Sequence, residues 1–256
     1  MDFEKIDKAI APQDAAAMEK ARRRWNGIAK PVGSLGLLED AIVQLAGLCG
    51  TQNVTLNKRA VIVMCADNGV VAQGVTQTGQ AVTALVAGNM AKGNASINCM
   101  AAVAHADVVP VDIGMCHAAK GVLCRRVANG TRDMTAGPAM TREEAQKAIR
   151  VGMELVAALR KQGYAILATG EMGIGNTTAA SAMAAVLCNA PVARVTGRGA
   201  GLSDAGLLRK TEAICRAIRV NAPCAHDALD VLSKLGGLDI AGLAGVFIGG
   251  ALYRVP

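Results

Sequence analysis

Three short apolar runs, each closing on polar or glycine residues and each followed by a helix-like stretch, constrain this chain's fold more than any other feature. Ala60-Val-Ile-Val-Met-Cys65 closes on Ala66-Asp-Asn-Gly69, Asp107-Val-Val-Pro-Val-Asp-Ile-Gly114 closes on its own aspartate and glycine, and Tyr164–Thr169 leads into Gly170-Glu-Met-Gly-Ile-Gly-Asn-Thr-Thr178. Apolar, β-branched runs bounded by turn chemistry read as buried strands. Their alternation with helices implies an α/β chain with a mostly parallel, doubly wound, Rossmann-like sheet covered on both faces. Ligands of such sheets bind outside the carboxyl ends of the strands, so Asp67/Asn68, Asp112 and Glu171 are expected on one rim.

The helices have their own signals. Asp14 is a possible N-cap for a helix to Asn26, and Leu35, Leu38, Ile42, Leu45 and Leu48 recur at helical spacing, predicting an amphipathic helix over about Gly36–Leu48. Further helices are expected around Thr83–Met90 and Ala95–Ala104. Thr141-Arg-Glu-Glu144 is a capping box opening a helix to about Lys161. Ser203/Asp204 cap another to about Val220, Asp227–Leu235 is a short one, and Gly236-Gly237 precede a last apolar helix. Gly121–Ala128 reads as an edge strand. The polar stretch Gly50–Asn57 is the one candidate boundary, placing a small helical subdomain at residues 1–56 and a nucleotide-binding domain at 57–256.

Composition removes several classes of function. With 256 residues, 52% of them hydrophobic, a full core can be buried. Two Phe, two Tyr and one Trp are too few for the stacking platforms of single-stranded nucleic acid binding. The net charge of +7 is spread along the chain, with Lys20–Lys30 and Lys120–Arg132 somewhat enriched, and both clusters read as solvated faces, with attraction of a phosphorylated metabolite as the functional alternative. The eight cysteines form no C-x-x-C pair and are expected as reduced, mostly buried thiols rather than a zinc site or disulfide framework. His105, His117 and His226 lack ligand spacing, so no metal is expected. The uncharged run Ile240–Tyr253 is too short for a bilayer and reads as a buried core helix, so a soluble, cytoplasmic protein is expected.

The run Glu171–Thr178 carries the chemistry. A strand, a glycine turn and a helix start with Asn176, Thr177 and Thr178 in its first turn would converge free N–H groups and hydroxyls on an anion. Gly173-x-Gly175 lacks the third glycine of a dinucleotide fingerprint, and no Gly-Lys-Ser/Thr follows as in a P-loop. The plainer alternative is a tight turn with Asn176 or Thr177 as N-cap. Lys210, beyond the flexible loop Gly197-Arg-Gly-Ala-Gly201, is either a phosphate clamp or a surface residue. The residues thus support a site for a phosphorylated small molecule with one carboxylate at hand.

Several runs together resemble one family. Lys30-Pro-Val-Gly-Ser-Leu-Gly36 with Glu39, Ala66-Asp-Asn-Gly-Val70 with Gly74-Val75 and Thr83, Gly130-Thr131 with Gly137-Pro-Ala-Met140, Gly170–Thr178, and Asp230-Val-Leu-Ser-Lys-Leu-Gly-Gly237 are similar, in order, to nicotinate-nucleotide:5,6-dimethylbenzimidazole phosphoribosyltransferases. The resemblance implies transfer of 5-phosphoribose from nicotinate mononucleotide to a lower-ligand base, giving α-ribazole phosphate for cobalamin assembly. It also implies a homodimer and no metal or redox cofactor. Gly173, Gly175, Asn176, Thr177, Thr178 and Lys210 would hold phosphate and ribose, while Asp67, Asn68, Thr78, Val86 and Met172 would contact substrate near the base. Family members continue past the positions of Val255-Pro256 to an Arg-Leu-Gly-Glu-Gly motif holding the expected general base. Glu171 is therefore the carboxylate expected to act within these residues, with a fragment or a non-catalytic nucleotide-binding partner as the alternative. Thr78, Val86 and Asn68 stand where family members often carry serine, glutamine and histidine, which implies a less polar or phenolic acceptor.

Overall fold

The computed structural model describes all 256 residues. Helices α1 (Phe3–Ala9), α2 (Ala15–Asn26) and α3 (Leu37–Cys49) precede strand β1 (Arg59–Ala66). A 3-10 turn at Gly69–Gln73, α4 (Ala81–Ala91) and α5 (Ser96–Val103) lead to β2 (Ala106–Gly114), followed by β3 (Leu123–Cys124), α6 (Arg142–Lys161) and β4 (Ile166–Met172). Then come α7 (Asn176–Leu187), α8 (Val192–Val195), α9 (Asp204–Asn221), α10 (Ala228–Leu235) and α11 (Leu238–Tyr253).

The four strands form one parallel sheet in the order β3-β2-β1-β4. Met64 pairs with both Val111 and Glu171, and Cys65 with both Asp112 and Met172, so the carboxyl ends of the three long strands reach one rim together. Side chains alternate across the sheet. Ile62, Met64 and Ala66 of β1 pack with Val111 and Ile113 of β2 under α6 and α11. Val63 and Cys65 face the other way, against Ala87 and Met90 of α4.

The glycines of the last apolar run explain its composition. A Cβ on Gly245 would collide with the carbonyl of Ile149, and one on Gly152 with that of Gly242, so α6 and α11 approach backbone to backbone. The Thr141 capping box that opens α6 is closed as expected, Thr141 Oγ1 accepting from Glu144 N–H at 3.1 Å and Glu144 Oε2 from Thr141 N–H at 2.7 Å. No helix is long and apolar enough to cross a membrane.

Beyond the strand ends, α7, α9 and α10 close a second apolar cluster around Val70, Val75, Met134 and Ile214, which walls the rim. The 130–140 segment ties that wall to β1: Thr131 N–H donates to the Asp67 carbonyl at 3.0 Å, and Met140 N–H to that of Ser233 at 2.9 Å. At the other end α2 packs on α3 around Ala21, Val43 and Ala46.

Several expectations are corrected. Strand β4 runs on past Thr169 to Met172, so Glu171 is a strand residue, because its backbone stays paired to β1. Only Leu123–Cys124 of the expected edge strand pairs with β2. Cys65 alone among the cysteines is buried, since Cys99, Cys124, Cys188, Cys215 and Cys224 fall on outer faces and ends of elements; all eight are free. Asp112 does not face the rim crevice: its Oδ2 accepts from Arg126 at 2.7 Å and its Oδ1 from Met115 N–H at 2.8 Å. With Arg132 on Glu144, this shows the Lys120–Arg132 cluster to consist partly of ion-paired groups.

Candidate active site

The glycine turn after β4 is shaped by close approach. A Cβ on Gly173 would lie 2.5 Å from the Ala66 carbonyl oxygen, and Gly175 has φ +93° with Val71 Cγ2 2.8 Å from where its Cβ would be. Both positions therefore exclude larger residues. Gly175 is itself the N-cap of α7 and offers no side-chain cap, so the expected capping by Asn176 or Thr177 does not occur. Their side chains are free for other partners. Asn176 and Thr178 N–H donate to the carbonyls of Gly173 and Gly175 at 3.0 Å, and Ile174 N–H donates to Thr83 Oγ1 at 3.2 Å. The N–H groups of Gly175 and Thr177 make no hydrogen bond within the chain. Thr178 is buried, its hydroxyl unpartnered.

Lys210 reaches this helix start from α9, whose N-cap Ser203 accepts from Gly206 N–H at 3.2 Å. Its Nζ donates to Thr177 Oγ1 at 2.8 Å and to the Gly197 carbonyl at 3.1 Å. The side chain is only 1% exposed and has no carboxylate partner, and burial pushes its pKa down. Lys210 is thus a buried ammonium with neutral partners only, beside two unpaired N–H groups, an arrangement whose charge and donors suit an anion. Arg198 lines the same cleft, but its guanidinium is held by Asp204 and by the Leu202 carbonyl at 2.9 Å. Across the cleft, Gln77 donates to the Gly201 carbonyl and Thr78 joins the lining. The cleft holds a cavity of about 90 Å³ that opens to solvent.

On the other side of the turn stand two carboxylates. Glu171 accepts from Asn176 Nδ2. Its side chain is open to solvent, yet the protein around it, and then the negative charge of Asp239, raise its pKa. Asp239, in the first turn of α11, is fully buried, and burial lifts its carboxyl to about 6. Its two oxygens border Gly173 and Gly237 and meet no side-chain donor at hydrogen-bond distance. Sequence reasoning missed Asp239, although it is the one charged residue between Gly236 and Tyr253.

The remaining candidates divide into two groups. Asp67 and Asn68, at the end of β1, are both buried. Asp67 Oδ2 accepts from Cys116 N–H at 2.8 Å, Asn68 Nδ2 donates to the Ile174 carbonyl at 3.4 Å, and each keeps one oxygen unpartnered. Val86 of α4 and Met172 of β4 share the apolar cluster of Val63, Cys65 and Met115. Val86 is thus set apart from the Lys210 cleft, one helical turn beyond the Thr83 that holds Ile174. Thr83, quoted above only as part of a motif, belongs to the loop's scaffold.

The chain as a whole is similar to known proteins. A family model described as "Phosphoribosyltransferase" matches residues 10–256. A nicotinate-nucleotide–dimethylbenzimidazole phosphoribosyltransferase of Ruminiclostridium cellulolyticum is 43% identical over 261 residues, covering 100% of this chain and 73% of the relative. One from Acetivibrio thermocellus is 47% identical over 254 residues, covering 97% and 72%. The crystal structure of the Thermus thermophilus enzyme of that name superposes with a TM-score of 0.86 at 37% identity, over 95% of this chain and 73% of that one. These relatives are longer than the present sequence, and their likeness covers 95–100% of it. The chain belongs to the nicotinate-nucleotide–dimethylbenzimidazole phosphoribosyltransferase family.

Proposed function

We propose that the chain moves 5-phosphoribose from nicotinate mononucleotide to a nitrogen of dimethylbenzimidazole or a related base, the step that forms α-ribazole phosphate for cobalamin. The observation that carries this reading is the buried, unpaired Lys210 at the N–H groups of α7, a cradle for the donor's phosphate. With the phosphate seated there, the sugar extends from the small cavity toward the rim where Glu171 stands. The acceptor nitrogen bonds to C1′ as the bond from C1′ to the pyridinium nitrogen breaks; that electron pair returns to the ring and nicotinate leaves. The proton on the acceptor's other nitrogen goes to Glu171, whose raised pKa makes it a better acceptor near neutral pH. The carboxylates of Glu171 and Asp239 also oppose the positive charge that develops on the ribose.

Val86 and Met172 give the acceptor side an apolar wall, which suits a flat aromatic base of low polarity, phenolic acceptors included. Asp67 and Asn68 supply polar contacts at its edge, while Thr78, which lines the Lys210 cleft, contacts the donor instead. Ile28, Val32, Leu35, Leu37 and Leu38 form an exposed apolar segment, the surface by which a homodimer of this cytoplasmic enzyme would associate. Incubation with nicotinate mononucleotide and dimethylbenzimidazole should release nicotinate and α-ribazole phosphate in equal amounts. Binding of the donor without any release of nicotinate would instead make the chain a nucleotide-binding partner.

A further inference from the structure

We infer that Thr83 of α4 and Asn68 at the end of β1 are positioning residues that fix the Gly175 N–H toward the donor's phosphate. The inference rests on the reading of the glycine turn as the phosphate cradle. Thr83 Oγ1 accepts from Ile174 N–H at 3.2 Å, and Asn68 Nδ2 donates to the Ile174 carbonyl at 3.4 Å. Ile174 is thus held at both of its backbone polar groups, by side chains that are themselves buried. Neither Thr83 nor Asn68 lines the Lys210 cleft, whereas Ile174, Gly175, Asn176 and Thr177 do. Every peptide bond in the chain is trans. The N–H and C=O of a trans peptide unit point in opposite directions, so a carbonyl drawn back to Asn68 turns the Gly175 N–H the other way, to the side of the cleft. That N–H makes no hydrogen bond within the chain.

The turn needs such holding because glycines do not set their own conformation. Gly173 and Gly175 flank Ile174, and Gly175 lies at φ +93°. Rotation of the Ile174–Gly175 peptide plane between them would present a carbonyl to the anion in place of an N–H. Phosphate would then be repelled where it is now attracted. The two side chains that prevent this rotation are well anchored. The Asn68 carbonyl accepts from Val71 N–H at 3.2 Å and from Gln80 Nε2 at 3.1 Å, and Gln80 is the N-cap of α4. The end of β1 and the start of α4 therefore form one support behind the turn. Thr83 is fully buried in a helix that packs on the apolar cluster of Val63, Cys65 and Met115. A hydroxyl buried there needs a hydrogen-bond partner, and Ile174 N–H is the one it has.

The test is calorimetric binding of nicotinate mononucleotide and of its phosphate-free riboside to the wild type, T83V, T83S and K210M. T83V keeps the shape of threonine and removes the hydroxyl. It should weaken nicotinate mononucleotide by on the order of threefold to tenfold and leave the riboside unchanged, and T83S should restore the wild-type preference. A merely structural threonine would not separate the two donors in this way. With the preference lost in K210M, a T83V variant that keeps it, or that weakens both donors alike, overturns the positioning role. A K210M variant that keeps the preference overturns the cradle reading itself. Should T83V fail to fold, N68A frees the Ile174 carbonyl from the other side; a preference for the phosphorylated donor equal to the wild type's would then contradict the proposal.

Discussion

The glycine turn Gly173–Gly175 separates two buried charges of opposite sign, and neither has a counterion. On one side Lys210 sits among Thr177, Gly197 and free N–H groups; on the other Asp239 lies against Gly173 and Gly237, and Glu171 accepts from Asn176. Of the other buried charges, Asp112 is paired with Arg126 and Glu39 with Lys30, whereas Asp67 accepts only from the Cys116 N–H. On the function proposed above, Lys210 and Glu171 would face the charges of a phosphoribosyl group, an anionic phosphate at one end and a developing cation at C1′.

The largest effect that could break this comparison is on rate. E171Q should lower kcat by about 10²–10⁴-fold while leaving donor affinity unchanged, measured by nicotinate release and by calorimetry. Next is a stability effect on the acidic side. Asp239 is raised from 3.8 to about 6 in the folded chain, so the stability it contributes is complete below about pH 4 and is lost as pH rises through 6. That gap corresponds to about 3 kcal/mol at most, and urea titrations across this range should show a decline that D239N lacks. On the basic side K210M should weaken nicotinate mononucleotide by about 10–100-fold, read as Kd, by removing a charge-assisted contact to phosphate. Smallest is R23A, which breaks the exposed Arg23–Glu19 pair; its melting temperature should match the wild type's within error.

Much of this arrangement is legible in the sequence because it depends on local chemistry. The strand ends at Asp67 and Gly114, the capping box at Thr141 and the glycine turn before Asn176 are all set by neighbours in the chain. Lys210 is visible there only as a choice between clamp and surface residue, and burial decides it. Asp239 is not visible at all, because its place at the site comes from Gly173, more than sixty positions away. The same holds in reverse for Asp112: its place at a strand end suggests the crevice, and the partner that closes it, Arg126, lies beyond the next turn. Local patterning also misjudges the cysteines, since residues such as Cys99 and Cys215 occupy outward faces that composition does not mark.

The central claim is that the donor's phosphate lies against Lys210. Calorimetric titration of the wild type and K210M with nicotinate mononucleotide and with its phosphate-free riboside tests this directly. The wild type should prefer the phosphorylated donor by at least about tenfold, and K210M should bring the two donors close together. A K210M variant that keeps the full preference for nicotinate mononucleotide would contradict the account.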